Sequence, residues 1–467
     1  MSAFVVFSTP KNQYLYDRYS NAIVRITDEE SIELSNILDG KILKEESRIY
    51  RELQKKGILK EREIEVIEHP ETPYLPHLLA HNIEQLTLQV TQNCNLRCSY
   101  CVYGGSYINR HHCNKRMDFQ MAKKAIDFAL ERSSDSRRLS IGFYGGEPFL
   151  EFELIKQCIN YVHEMVEGKD VLFTVTTNGT LLTEDKMKFL SENDVQVVIS
   201  LDGMKEEHDR NRKFANGLGS FDVIMNNIKK IKELYPTYVK KNVNFNTVIS
   251  PNTNLSRVEK YFSVNEVLSD SYVMFNSLSE SGLEETLEYE EIALIKRRFE
   301  YLKMLLFMLG KVAPEYVSRI MTYEKFELEN TYRGFQKHIP IPRYMHHSGP
   351  CVPGIKRCFV SCDGNLYPCE RVPELQCTCI GNISSGFEEE KVSSMLNIGK
   401  LSAEECKRCW ALRLCMLCIK DIQLTENIPG KKEKISACAG SKSNVLANIM
   451  TAATLYELGY QPPEEEA

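Results

Sequence analysis

Cys94, Cys98 and Cys101 lie in one run, Thr-Gln-Asn-Cys-Asn-Leu-Arg-Cys-Ser-Tyr-Cys, a C-x3-C-x2-C triplet with Tyr100 directly before its last member. Three thiolates on one short loop can hold three corners of a [4Fe-4S] cube. No fourth cysteine follows at ferredoxin spacing, so one iron is left open to an exchangeable ligand. A zinc knuckle or a group of buried thiols is the alternative.

Three apolar or β-branched runs follow, each ending in turn residues. Ser140-Ile-Gly-Phe-Tyr144 reads as a short buried strand leading into Gly145-Gly146-Glu147-Pro148; Phe173 to Thr177 leads into Asn178-Gly179; Val195 to Ser200 leads into Asp202-Gly203. Glycines at 145 and 146 would let the backbone approach a ligand at the strand's carboxyl end. Functional groups at strand carboxyl ends are the habit of α/β barrels.

The triplet, Gly145-Gly-Glu-Pro148, Thr176-Thr-Asn-Gly-Thr180 and Ile199-Ser-Leu-Asp-Gly203, in that order, resemble the radical S-adenosylmethionine (SAM) superfamily. The resemblance implies an α/β fold, a partial (β/α)6 TIM-type barrel. It also implies that the amino and carboxylate groups of SAM chelate the open iron, and that a 5′-deoxyadenosyl radical takes hydrogen from the substrate. Tyr100, Gly145, Gly146, Glu147, Asn178, Ser200, Asp202 and Arg212 become the expected cofactor-binding residues. Glu147 is expected to accept the SAM ammonium, Ser200 to lie near the ribose and Arg212 to meet the carboxylate, which a guanidinium fork suits better than lysine.

A second cysteine field comprises Cys351, Cys358, Cys362 and Cys369, then Cys406-x2-Cys409-x5-Cys415-x2-Cys418, then Cys438. There is no signal peptide and no apolar run of about 18 residues, which predicts a cytoplasmic protein without membrane spans and favours metal or cluster ligation over disulfides. The two C-x2-C pairs taken alone could hold zinc. Behind a radical SAM core, the field resembles the SPASM domain, which implies two auxiliary [4Fe-4S] clusters and three in all. By that resemblance one cluster takes Cys351, Cys358, Cys369 and Cys418, the other Cys406, Cys409, Cys415 and Cys438. This chain departs from the family in having only Met416 and Leu417 between the last two cysteines of the quartet, and Cys362 competes with Cys358. Cys113, Cys158, Cys377 and Cys379 are expected as buried or loop thiols. His111-His112-Cys113 is expected to be substrate-facing or exposed. Glu370, next to Cys369, stands where the related anaerobic sulfatase-maturating enzymes carry an Asp proposed as the base. A carboxylate beside a cluster in a closed pocket can act as a base, and an ion pair with Arg371 or another cation is the alternative.

Residues 1–75 read as short strands at Phe4 to Ser8, Gln13 to Asp17 and Ala22 to Ile26, then helices from Asp28 and from Glu46 to Gly57. This winged-helix-like order resembles the peptide-recognition module of peptide-modifying radical SAM enzymes, where a leader peptide adds a strand to a sheet edge. A structural cap for the barrel or a nucleic-acid-binding winged helix is the alternative, although its lysines form no basic stripe for nucleic acid. The expected divisions are this module at 1–75, the barrel at 84–282, a helical bridge at 283–345, the cluster domain at 346–445, and a C-terminal helix and acidic tail at 446–467. An apolar fraction of 43% and a net charge of −6 suit a folded enzyme and imply no polyanion partner.

Within the family, Cys406-Lys-Arg-Cys-Trp-Ala-Leu-Arg-Leu-Cys415 looks most like maturases of cysteine-rich ribosomal peptides, which install Cys sulfur-to-carbon thioethers. The implied partners are a precursor peptide bound through its leader and an electron donor such as flavodoxin or ferredoxin. Carbon-carbon crosslinking and sulfatase-type protein maturation are rival activities. An iron-sulfur redox or regulatory protein is the non-enzymatic rival.

Overall fold

The structure is a computed structural model and describes residues 3–60, 64–104, 107, 110–166, 168–269, 271–278, 283, 288, 290–335, 339–424 and 429–462. The acidic tail expected at the C-terminus lies, from residue 463 on, outside the described residues.

Strands β1 (Phe4–Ser8), β2 (Gln13–Asp17) and β3 (Ala22–Ile26) form an antiparallel sheet with β2 in the middle, followed by α1 (Asp28–Leu38) and α2 (Arg48–Lys55). A capping box starts α1: Glu30 N–H donates to Thr27 Oγ1 at 3.2 Å while Thr27 N–H donates to the Glu30 carboxylate at 2.7 Å. Both faces of β2 are buried, as its period of two makes clear. Leu15 packs with Leu34 and Tyr50 inside this unit, while Tyr14 and Tyr16 pack outward on Ala411, Val445 and Ile449.

After the two-residue β4 (Val66–Ile67) and α3 (Leu75–His81), strands and helices alternate. These are β5 (Gln85–Thr91), α4 (Phe119–Glu131), β6 (Arg138–Gly145), α5 (Phe152–Met165), β7 (Asp170–Thr177), α6 (Glu184–Glu192) and β8 (Gln196–Ser200). Then come α7 (Lys205–Asn211), α8 (Phe221–Leu234), α9 (Pro236–Asn242), β9 (Val243–Ile249), α10 (Leu255–Val264) and β10 (Val273–Ser277). Strands β5 to β10 pair with their sequence neighbours, all parallel, which is a partial (β/α)6 barrel. Parallel strands covered by helices are buried on both faces, and six of the seven residues of β5 are buried accordingly.

Helices α11 (Glu291–Met308) and α12 (Thr322–Gly334) come next; α11 begins later than the Leu283 read from sequence, and residues 284–287 and 289 are outside the described set. The short β11 (Tyr344–Met345) pairs with β4. Then β12 (Cys358–Val360) lies parallel to β5, with Cys358 opposite Leu86, and continues antiparallel through β13 (Asn365–Tyr367), β14 (Gly381–Asn382) and β15 (Gly386–Phe387). The chain's C-terminal third therefore extends the barrel sheet past its first strand, and one apolar core spans both, from Phe143 and Ile199 to Val360 and Ile380. Helices α13 (Glu389–Leu396), α14 (Ala403–Lys407) and α15 (Lys431–Glu457) complete the fold. No helix among the described residues is long and apolar enough to cross a membrane.

Candidate active site

The carboxyl ends of β5 to β8 lie side by side because these strands run parallel. The cysteine loop leaves β5 and is stitched to the end of β6, where Gly146 N–H donates to the Thr91 carbonyl and Glu147 N–H to the Asn93 carbonyl, each at 2.8 Å. The two glycines permit this approach. A Cβ on Gly145, at φ +139°, would sit 2.1 Å from the Thr91 oxygen, and one on Gly146 would sit 2.1 Å from the Asn93 oxygen. At this point the glycine backbone closes on the cysteine loop.

Hydrogen-bond donors converge on the three thiols. Leu96 N–H points at Cys94 Sγ at 3.3 Å, Asn178 Nδ2 at the same sulfur at 3.8 Å, and Tyr103 N–H at Cys101 Sγ at 3.4 Å. Burial pushes the Cys98 thiol up to about 11, against the pull of the Arg212 guanidinium, which also hydrogen-bonds it. Sulfurs ringed by N–H donors and a cation fit thiolate ligands of a [4Fe-4S] cluster.

Two expected SAM contacts are turned inward. Glu147 has no exposed surface, and its carboxylate accepts from Thr177 Oγ1 at 2.7 Å, Asn178 N–H at 2.7 Å and Phe149 N–H at 2.9 Å. Burial raises its pKa against those donors. It ties the end of β6 to the end of β7. Arg212 is likewise buried: its Nε donates to Asp202 Oδ2 at 2.9 Å and its guanidinium carbon lies 5.4 Å from the centre of the Tyr100 ring. Through Tyr100 and Cys98 it bears on the cysteine loop. Asp202 is the hub, because the Tyr100 hydroxyl donates to the same oxygen and Val248 N–H donates to Oδ1 at 3.0 Å. Ser200, at the end of β8, has no hydrogen-bond partner for its hydroxyl among the described residues and remains available to a ligand.

Residues that carried no sequence signal complete this arrangement. Asp202 N–H donates to His208 Nδ1 at 3.2 Å, which leaves the proton on Nε2 for Ser220 Oγ at 3.0 Å, and Ser220 in turn donates to the Arg212 carbonyl at 2.9 Å. Arg110 joins the cysteine loop to the C-terminal third, with its Nη groups donating to the carbonyls of Glu370 at 3.0 Å and Val372 at 2.9 Å. It also ion-pairs with Glu374 at 2.8 Å and lies 5.5 Å from the Tyr103 ring centre. No spacing marks either residue, because each is brought in by folding alone.

Glu370 is ion-paired with Arg357 and lies 3.9 Å from Arg371, while its Oε2 is buried without a hydrogen-bond partner. Burial pushes the Tyr144 phenol up to about 12, with Arg110 opposing and Glu370 and Cys101 adding to the rise.

The two proposed C-terminal ligand sets differ. Cys406, Cys409, Cys415 and Cys438 line one cavity together with His347 and Lys434. Lys434, only 1% exposed, directs its ammonium at Cys438 Sγ at 3.5 Å and Cys406 Sγ at 3.7 Å, and Ser441 Oγ donates to Cys415 Sγ at 3.3 Å. A buried ammonium needs anionic neighbours; Glu405 also lines this cavity, with its Oε1 held by Lys431, and the groups the ammonium is directed at are sulfurs, which fits a cluster site. In the other set, Cys369 is raised to about 11 by burial, then by Glu370, with Cys351 contributing, and Cys418 to about 12 by burial and Asp421, with Cys369 contributing. Cys358 is fully buried on β12 in the barrel core, raised to about 12 by burial alone. Its alternate, Cys362, donates to the Gln89 carbonyl at 3.1 Å. Among the rest, Cys158 is in the core, Cys379 donates to the Gly381 carbonyl and Cys113 is exposed. His112 is turned inward, with both ring nitrogens buried and unpartnered.

Residues 88–263 match the radical SAM superfamily profile. A cysteine-type anaerobic sulfatase-maturating enzyme of Clostridium perfringens is 29% identical over 342 residues, 70% of this chain and 85% of that one. Another of the same description, from Clostridium novyi, is 35% identical over 190 residues, 39% of this chain and 48% of that one. The solved structure titled native anSMEcpe with bound AdoMet superposes with a TM-score of 0.56 at 25% identity, covering 79% of this chain and 99% of that one. This chain is therefore an enzyme with a radical SAM domain at residues 88–263, similar in sequence and fold to anaerobic sulfatase-maturating enzymes.

Proposed function

We propose that this enzyme is a peptide maturase that carries three [4Fe-4S] clusters and forms Cys sulfur-to-carbon thioether crosslinks in a ribosomally made precursor. When bound, the SAM-binding cluster and SAM supply the 5′-deoxyadenosyl radical that takes a substrate hydrogen. Cys94, Cys98 and Cys101 would hold that cluster, and Ser200 would meet SAM at the strand ends. Cys406, Cys409, Cys415 and Cys438 would hold one auxiliary cluster. Cys351, Cys369 and Cys418 would hold the other, which leaves it a position for a substrate thiolate. An acidic flavodoxin or ferredoxin would deliver electrons in a cytoplasm that keeps the sixteen thiols reduced.

The observation that carries the peptide reading is the N-terminal sheet. Among the described residues β1 and β3 each have only β2 as neighbour in it, which leaves strand edges for an added leader, and its other face packs against the segment around Trp410. Glu370, with one buried oxygen unpartnered, is the base proposed for the substrate side chain. Glu370→Gln should leave 5′-deoxyadenosine release intact and slow product formation, and unaltered turnover would discard that role.

The second reading, sulfatase-type oxidation of a Cys or Ser in a protein, is favoured by the similarity to the clostridial enzymes. Accurate mass with thiol alkylation, after anaerobic co-expression with a neighbouring Cys-containing peptide, separates the two. Hydrogen loss in pairs with fewer free thiols supports thioethers, and the same loss with all thiols free means carbon-carbon bonds. An unchanged peptide, together with oxidation of a sulfatase-derived peptide, establishes the second reading.

A further inference from the structure

His347 is 1% exposed, and neither of its ring nitrogens has a hydrogen-bond partner. Its neighbour does not share this condition. His346 accepts Gly399 N–H on Nε2 at 2.8 Å and pairs through Nδ1 with the His347 carbonyl at 2.8 Å, so it is fully used as a neutral ring. An imidazole buried with both nitrogens unmatched is costly and calls for a partner that occupies the space it faces. That space is the cavity lined by Cys406, Cys409, Cys415 and Cys438. Lys434 faces the same cavity and, among the described residues, its ammonium is directed at sulfur at 3.5 and 3.7 Å, while Glu405, also in the lining, pairs with Lys431 instead. Two buried polar groups from different parts of the chain thus converge on one four-cysteine site.

We propose that His347 and Lys434 are positioning residues of the second auxiliary cluster, the imidazole donating its N–H and the ammonium lending its charge to the cluster's sulfur atoms, so that its reduced form is favoured. The proposal rests on the reading that the four cysteines bind a [4Fe-4S] cluster. Net charge and hydrogen bonds to sulfur are among the terms that set the potential of such clusters. A cation in a dry site stabilises the more negative, reduced state most strongly. Neither residue is a ligand, and neither touches the substrate.

The test is an anaerobic redox titration followed by electron paramagnetic resonance. It uses the full-length, reconstituted chain in a Cys94→Ala, Cys98→Ala, Cys101→Ala background, which removes the SAM-binding cluster's signal. Lys434→Met and His347→Phe should each shift one auxiliary signal to lower potential, with the other signal unmoved, and Lys434→Arg, which keeps the charge, should stay near the parent value. Potentials unmoved in both neutral variants overturn the proposal. If Lys434→Met loses that cluster's iron, the proposal requires Lys434→Arg to retain it and His347→Phe to show the shift; failure of either overturns it. The underlying reading is tested separately: if Cys406→Ala with Cys409→Ala leaves iron and sulfide per chain unchanged, there is no cluster at that site, and the reading itself fails.

Discussion

Asp202 collects Arg212, Tyr100 and Val248 on its two oxygens, while His208 accepts the Asp202 N–H and fixes the arm from which Arg212 extends. Removing one partner of such a buried pair strands the other charge. Asp202→Asn should therefore cost about 3–5 kcal/mol in urea unfolding and weaken SAM cleavage, and a stable, active variant would refute the hub role. Burial pushes His208 from the usual 6.5 down to about 3. Unfolding releases that constraint, so between these values the unfolded chain binds the extra proton and stability falls as pH falls. The loss from this group is about 1.4 kcal/mol per pH unit. His208→Gln should show a shallower acid slope in unfolding free energies measured below pH 6.5, and an identical slope would remove His208 from the account. Neither His208 nor Arg110 was legible beforehand, since their partners lie on other elements. The internal hydrogen bonds of Glu147 and Arg212 were hidden for the same reason.

Between elements, the N-terminal sheet reaches the segment around Cys409 through Tyr14 and Tyr16 and through one buried cation. Arg18, in the turn after β2, donates through Nη1 to the carbonyls of Lys407 at 2.6 Å and Cys409 at 3.1 Å, and it is almost wholly buried. Arg18→Ala leaves two carbonyls short of a charged donor, at about 1.5–3 kcal/mol for such a bond. The expected outcome is faster amide exchange in β2 and around Cys409 with no change in β6. Equal protection everywhere would mean that the sheet is held by Tyr14 and Tyr16 alone. The three strands and two helices of this unit were readable from alternation and capping residues. Its docking face was not, because a buried face of β2 toward a distant helix has the same pattern as one toward its own helices.

For the molecule as a whole, β12 lies beside β5, so the C-terminal cysteines are carried by an extension of the barrel sheet. The barrel core does not include the loop of Cys94, Cys98 and Cys101. Changing all three to Ala should abolish 5′-deoxyadenosine release while leaving the thermal unfolding transition in place, and retained cleavage would refute the central assignment. Sequence by itself determined the fold class and the cysteine loop, because helix and strand periodicity and ligand spacing are local properties written within a few residues. Which thiols meet was decided only in three dimensions. Cys358 and Cys369 are near neighbours in sequence, yet Cys358 is fully buried within β12 while Cys369, past the end of β13, is only partly buried against the same core, since the element that carries a residue, and not spacing along the chain, sets its surroundings.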